Sequence, residues 1–350
     1  MTNLKFFIYF GEKSGGLGDQ LCKFLYLYTF ITKILKLDYV CYNGLIMQHS
    51  EEDFNNFFGL NNIFSNIKKD DIDVEELNII DYKEYKIEER LDKIKEKIKT
   101  TKKVIKFNCY NFYENVYNFF NISINFVDVN DTKSLIKSSF YELNKERIKN
   151  NNNVIIHARR EDLTYFIYYN KKYYVFDFMM RNLAEKDGEC NALEWIKEKK
   201  KKQRVLLTDT IENICNILTN KGIKNITIMT DGFKNLYKNF SNKLDKCYIV
   251  DLEKEEIEEI ETPEEVKNII KNNNEFVEFL KKYDNLQVIS NNTTNEDLLN
   301  LINSKLVIGS SSLFISTAKN YFNFNSTKYI THNIYEDSKI FYDKINKINK

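Results

Sequence analysis

The sequence holds one proline, ten glycines and three histidines in 350 residues. It has no C-x-x-C pair and no Cys/His cluster, since Cys22, Cys41, Cys109, Cys190, Cys215 and Cys247 stand far apart. That spacing excludes a disulfide framework or a zinc site and reads as reduced, mostly buried thiols. A surplus of one charge is missing too. Lys and Arg number 52 against 51 Asp and Glu, a net charge of +1, which argues against a chain built to coat nucleic acid or an anionic membrane. No stretch approaches the roughly 20 apolar residues of a membrane span. The opening MTNLKFFIYFGE is too short in its apolar part for a signal peptide and reads as a first strand.

What is present is core material. Hydrophobic residues make up 43% of the chain, so there is no signature of disorder, and the length suits two domains. Four of the ten glycines (Gly11, Gly15, Gly16 and Gly18) fall within eight residues near the start. A chain so sparing with glycine that places four in one turn needs an unusual backbone there.

Periodicity predicts strands alternating with helices. Apolar runs at 4–10, 39–42, 77–80 and 104–107 read as strands, with helices over 19–35 and 87–98. The asparagine-rich break KERIKNNNN at 145–153 marks a domain boundary. Beyond it, strands are expected at 154–157, 225–229, 248–251, 286–289 and 306–308. Helices are expected at 194–202, 208–218, 233–244, 296–303 and after Ser312. Thr262-Pro263-Glu264-Glu265 reads as a capping box opening a helix to about Tyr283. A last helix, about 335–348, is long enough to pack back on the first half. The expectation is therefore an α/β chain with mainly parallel sheets: domains at 1–150 and 151–333, and a C-terminal helix within 334–350. The charge runs 197–202 and 253–261 read as solvated faces.

In parallel sheets ligands sit beyond the carboxyl ends of strands, and three segments fall there. GEKSGGLGDQLCKF (11–24) is a glycine-rich turn between a strand and a helix start, where backbone N–H groups can face an anion. Its spacing fits neither a dinucleotide fingerprint nor a P-loop, and a tight ligand-free connection is the alternative. VIIHARRED (154–162) runs from a strand into His157, Arg159, Arg160, Glu161 and Asp162. Adjacent guanidinium groups there suit a phosphate or diphosphate, which they bind in bidentate fashion. Gly309-Ser310-Ser311-Ser312 opens a helix and offers hydroxyls and N–H groups to an anion, or simply a serine N-cap. Thr230 and Asp231 end another strand and are either ligand contacts or a helix cap. Asp71-Ile-Asp73 lies in an acidic stretch and is a poor metal-site candidate.

GGLGDQL, HARRED and EDLLNLINSKLVIGSSSLFIS together resemble the conserved segments of the α1,2-, α1,6- and protein O-fucosyltransferase superfamily. The nearest pattern is that of bacterial α1,2-fucosyltransferases, whose order and rough spacing match over most of the chain. Departures are Asp19 where Asn is usual, Glu161 in place of the Gly of R-R-G-D, and a late motif without tryptophans. The resemblance implies a GT-B fold of two Rossmann-like domains, with acceptor bound mainly by the first and GDP-fucose by the second. It also implies inverting transfer of fucose to a glycan hydroxyl with no metal or other cofactor, no nucleic-acid partner, and a cytoplasmic location that includes the membrane face. Carried over, Arg159 and Arg160 would hold the diphosphate and His157 would face the acceptor cleft or the nucleotide. Asp297 would contact guanine, with Asp231 also on the donor side. Ser310, Ser311 and Ser312 would hold phosphate, and Gly15, Gly16 and Gly18 would let the first domain's backbone approach the donor. Asp162 or Glu161 could accept the acceptor's proton. Two other readings stay open: a transferase of the same fold using GDP-mannose, a GDP-heptose or a UDP-linked sugar, and a non-catalytic nucleotide- or glycan-binding relative.

Overall fold

The computed structural model describes residues 6–9, 17–36, 41–42, 54–60, 74–76, 82–101, 104–108, 119–122, 128–159, 166–176, 193–194, 196–197, 206–232, 238, 241–272, 275–290, 292–310, 312–332 and 338–348. Two units form: Met1–Ile148 with Ser316–Phe322, and Lys149–Ile315 with Asn323–Lys350.

The first unit runs β1 (Phe6–Tyr9), α1 (Leu17–Thr29), β2 (Cys41–Tyr42), α2 (Phe54–Phe58) and β3 (Val74–Glu76). It continues with α3 (Ile87–Thr100), β4 (Val104–Asn108) and α4 (Asn130–Asn144). Its four strands are all parallel, in the order β2-β1-β4-β3. Helix α1 buries Leu21, Phe24 and Leu25 and widens into one π-type turn at Phe30–Ile34. Helix α4 is a strand-free stretch of the sequence reading. Its buried residues Thr132, Ile136, Phe140 and Asn144 recur every fourth position, but two are polar and the apolar signal is weak. Asn144 Nδ2 donates to Phe57 O at 2.9 Å and Phe140 O at 3.0 Å, tying α4 to α2. Phe322 completes this core, its ring 4.4 Å from Phe140 and 5.4 Å from Phe58 between centroids.

The second unit holds two sheets. Its elements begin with β5 (Val154–Ala158), β6 (Phe166–Tyr169), β7 (Lys172–Phe176), α5 (Thr208–Asn220) and β8 (Ile226–Thr230). Next come β9 (Lys246–Asp251), β10 (Glu256–Glu261), α6 (Glu264–Lys271), α7 (Val277–Lys282) and β11 (Leu286–Ile289). The chain closes with α8 (Thr294–Asn303), β12 (Leu306–Ser310), α9 (Leu313–Tyr321), β13 (Lys328–His332) and α10 (Ser338–Asn346). Five parallel strands lie in the order β11-β8-β5-β12-β13. Strands β5, β8 and β12 are buried along their whole length, which is why they read as continuous apolar runs. One face of the sheet packs Ile156, Ile228 and Ile308 against Ile211, Ile214 and Leu218 of α5 and against Phe341 and Ile345 of α10. Burial there pushes the Cys215 thiol up to about 12.

Two of the three sheets are parallel, in keeping with the expectation of mainly parallel sheets, and the third was not foreseen. An antiparallel sheet, β10-β9-β7-β6, is built from two hairpins. Asn170 and Lys171, at φ 48° and 62°, form the two-residue turn between β6 and β7 with the twist such hairpins favour. Strand β10 carries the run read as a solvated face. It is solvated, but as an edge strand whose glutamates also discourage edge-to-edge pairing. The expected capping box at Thr262 is not made. Thr262 N donates to Asp245 O at 2.8 Å, so this residue extends the hairpin, and α6 is capped at Pro263 without a side-chain bond. The single helix to Tyr283 is instead two, α6 and α7. A full capping box occurs at Thr293 and Glu296, opening α8. Helix α5 ends as expected near Gly222, whose φ of 73° accompanies bonds from Gly222 N to Thr219 O and Ile223 N to Leu218 O. The last helix differs from expectation: Phe341, Ile345 and Ile348 lie in the core of the second unit, not of the first. Among the described residues no helix is long and apolar enough to cross a membrane.

Candidate functional site

The chain order of the five-stranded sheet creates a particular place. From β5 the strands proceed outward to β8 and β11, then the chain returns across β5 to β12 and β13. The order therefore reverses between β5 and β12, and ligands of open parallel sheets bind outside the carboxyl ends at such a reversal. Arg159 follows the last residue of β5, and Gly309, Ser310 and Ser312 end β12 and open α9. Thr230 and Asp231 end the neighbouring strand β8.

Register decides which way these side chains point. His157 sits beside Gly309 on one side and Met229 on the other. It is 8% exposed, and its ring lies 5.9 Å from that of Phe314 at the start of α9. Gly309 makes this approach possible. A Cβ there would lie 2.5 Å from Ile315 Cδ1 and 3.3 Å from His157 Cβ. Gly309→Ala is expected to cost about 1–3 kcal/mol by overpacking, because buried Ile315 must give way against fixed neighbours. Chemical denaturation measures this, and an unchanged midpoint would show that the Ile315 terminal methyl turns aside without strain.

The serines do not act as one group. Ser312 Oγ accepts from Ile315 N at 3.1 Å, the bond of a helix cap. Ser310 is still strand, alternates with Gly309, and so faces the side of the sheet away from α9. There it pairs in register with His332 of β13, whose ring meets Phe341 edge-on at 5.0 Å. Both are essentially inaccessible, at 0% and 1% exposure. The Ser310 hydroxyl has no hydrogen-bond partner among the described residues, a cost of about 1–3 kcal/mol for a buried group.

Asp297 is half-buried in the first turn of α8, beyond β11, and accepts from Asn292 Nδ2 at 3.0 Å. Asp231 is exposed in the turn after β8, where Gly232 N donates to Thr230 Oγ1 at 3.1 Å. Gly18 is buried in the first turn of α1, in the first unit. Gly15, Gly16, Arg160, Glu161, Asp162, Ser311 and the pair Asp71 and Asp73 lie outside the described residues. Arg159, His157, Ser310, Ser312 and Asp231 thus share the carboxyl edge of one sheet, with Asp297 on the helix after its edge strand.

Sequence reasoning passed over two features of this edge: Gly309 as a packing position, and His332. The signal for His332 was its rarity as one of three histidines, hidden because KYITH does not read as a strand. No group of three or more His, Cys, Asp or Glu that could hold a metal occurs among the described residues. No family model and no curated protein matches the chain.

Proposed function

We propose that the chain is an inverting glycosyltransferase of GT-B type that moves fucose from GDP-fucose to a glycan hydroxyl without a metal. The observation that carries this reading is the reversal of strand order between β5 and β12, with Arg159 after one strand, and Gly309 and Ser310 at the end of the other with Ser312 opening the next helix. In such a transfer the acceptor oxygen attacks the anomeric carbon as the bond to the diphosphate breaks, and charge develops on the leaving group. Fixed cations and N–H donors aimed at that charge are worth more than flexible ones, because no reorganisation is needed as the charge grows. Arg159 and Arg160 supply the cations, and the start of α9, held by the Ser312 cap, supplies the dipole. Asp297 takes the guanine, with Asn292 orienting its carboxylate. The acceptor's proton passes to Asp162 or Glu161.

The test is thermal unfolding with GDP, UDP and dTDP. A nucleotide at 100 times its Kd adds about 2.7 kcal/mol of stability. GDP is expected to stabilise the chain and the other two to do so far less. Stronger stabilisation by UDP or dTDP would reassign the donor, and none by any of the three would remove the nucleotide-sugar reading.

A further inference from the structure

The opposite, amino-terminal edge of the same sheet carries an open cleft of about 590 Å³, a size ordinary for small-ligand sites. Its walls come from the asparagine run 150–153 and from Asn225 and Asn285, with Lys224 and Asp284 also in the lining. Asn153, Asn225 and Asn285 each immediately precede a strand, β5, β8 and β11 in turn. Their carbonyls accept from Lys305 N, Val154 N and Ile226 N at 3.0, 2.9 and 3.0 Å, so the three backbones are fixed. The run itself is pinned as well. Asn151 N donates to Asn303 O, and Lys149 N to Asn303 Oδ1, both at 2.8 Å.

These bonds use the backbone and leave amides over. Asn285 Nδ2 is committed to Ile223 O, but Asn150, Asn151, Asn152 and Asn225 are exposed. Asn153 Oδ1 is buried and has no hydrogen-bond partner among the described residues. The exposed amides, not this inaccessible oxygen, are what the lining offers a ligand. Charge tells what kind. Lys224 and Asp284 offset one another, and no arginine or aromatic ring is among the described lining residues, which disfavours phosphate and stacked bases. Side-chain amides each present donor and acceptor together, matching hydroxyls, which do the same.

We propose that this cleft is a subsite for a neutral oligosaccharide. It stands apart from the nucleotide reading and does not depend on it, because it lies at the other end of the strands. The experiment is calorimetric titration of the full chain with maltohexaose, cellohexaose and chitohexaose up to about 10 mM, a range that detects weak binding. Saturable binding of at least one is expected, unaffected by GDP. The double variant Asn152→Ala/Asn225→Ala should weaken it about tenfold, from two lost hydrogen bonds. Its unfolding midpoint should stay within about 2 °C, since both side chains are exposed. Asn152→Ala alone gives the same direction if the double variant is unstable. No binding by any of the three, binding unchanged in the variants, or displacement by GDP would overturn the proposal.

Discussion

If the chain is the proposed transferase, Arg159→Ala is expected to lower the rate of sugar transfer by about 10²–10³, the loss seen when one preorganised donor to a developing anion is removed. Arg159 leaves β5 at the point of strand reversal, so its backbone is held by a strand buried along its whole length. In the proposed reaction a cation on such a rigid base would already be in place as the diphosphate leaves. Because the interaction strengthens in the transition state, the turnover number should fall more than nucleotide affinity does. Arg159→Lys should recover only part of the rate, since an ammonium keeps charge but not the bidentate fork. Steady-state transfer from GDP-fucose, with GDP affinity measured in parallel, checks this. Turnover within a few-fold of the parent chain would remove Arg159 from the chemistry.

The second large effect concerns the first unit. Phe322→Ala is expected to cost about 3–5 kcal/mol, the range for truncating a buried phenylalanine. Phe322 is fully buried, and its ring contacts those of Phe58 and Phe140, which are themselves fully buried. The cavity would open in the middle of an aromatic cluster that also includes Phe57, 5.2 Å from Phe140. Little can collapse into it, because Asn144 fixes α4 against α2 through the Phe57 carbonyl, with its side chain braced on the Phe140 carbonyl of its own helix. Hydrogen exchange is the suitable measurement, since a chain of two units need not unfold in one step. Amides of α4 should lose protection while those of β5 and β12 keep theirs. Equal loss in both units would mean that the cluster is not specific to the first.

Much of the second unit's parallel sheet is legible in the sequence, for a physical reason. Strands buried on both faces need unbroken apolar runs, and VIIHA, ITIMT and LVIGS announce themselves. Strand β13 escapes notice because KYITH has an exposed lysine and ends on a histidine whose burial only the neighbouring strand and α10 explain. Strand β10 escapes because EIEEIE is charged on an edge that faces water, and charge runs read as solvated faces of no stated secondary structure. The site divides in the same way. A strand followed by His157 and Arg159 is visible in one dimension. That Ser310 and Ser312 serve opposite sides of the sheet is not, because it depends on where Gly309 lets α9 touch.

Helix α9 has one further consequence. Its first residues belong to the second unit and Ser316–Phe322 to the first. A gene rearrangement that exchanged everything after residue 148 would carry off the phenylalanine that completes the other unit's core. The two units are therefore bound in inheritance as well as in sequence. The second unit cannot be swapped as a cassette unless the seven residues 316–322 remain matched to Phe58 and Phe140.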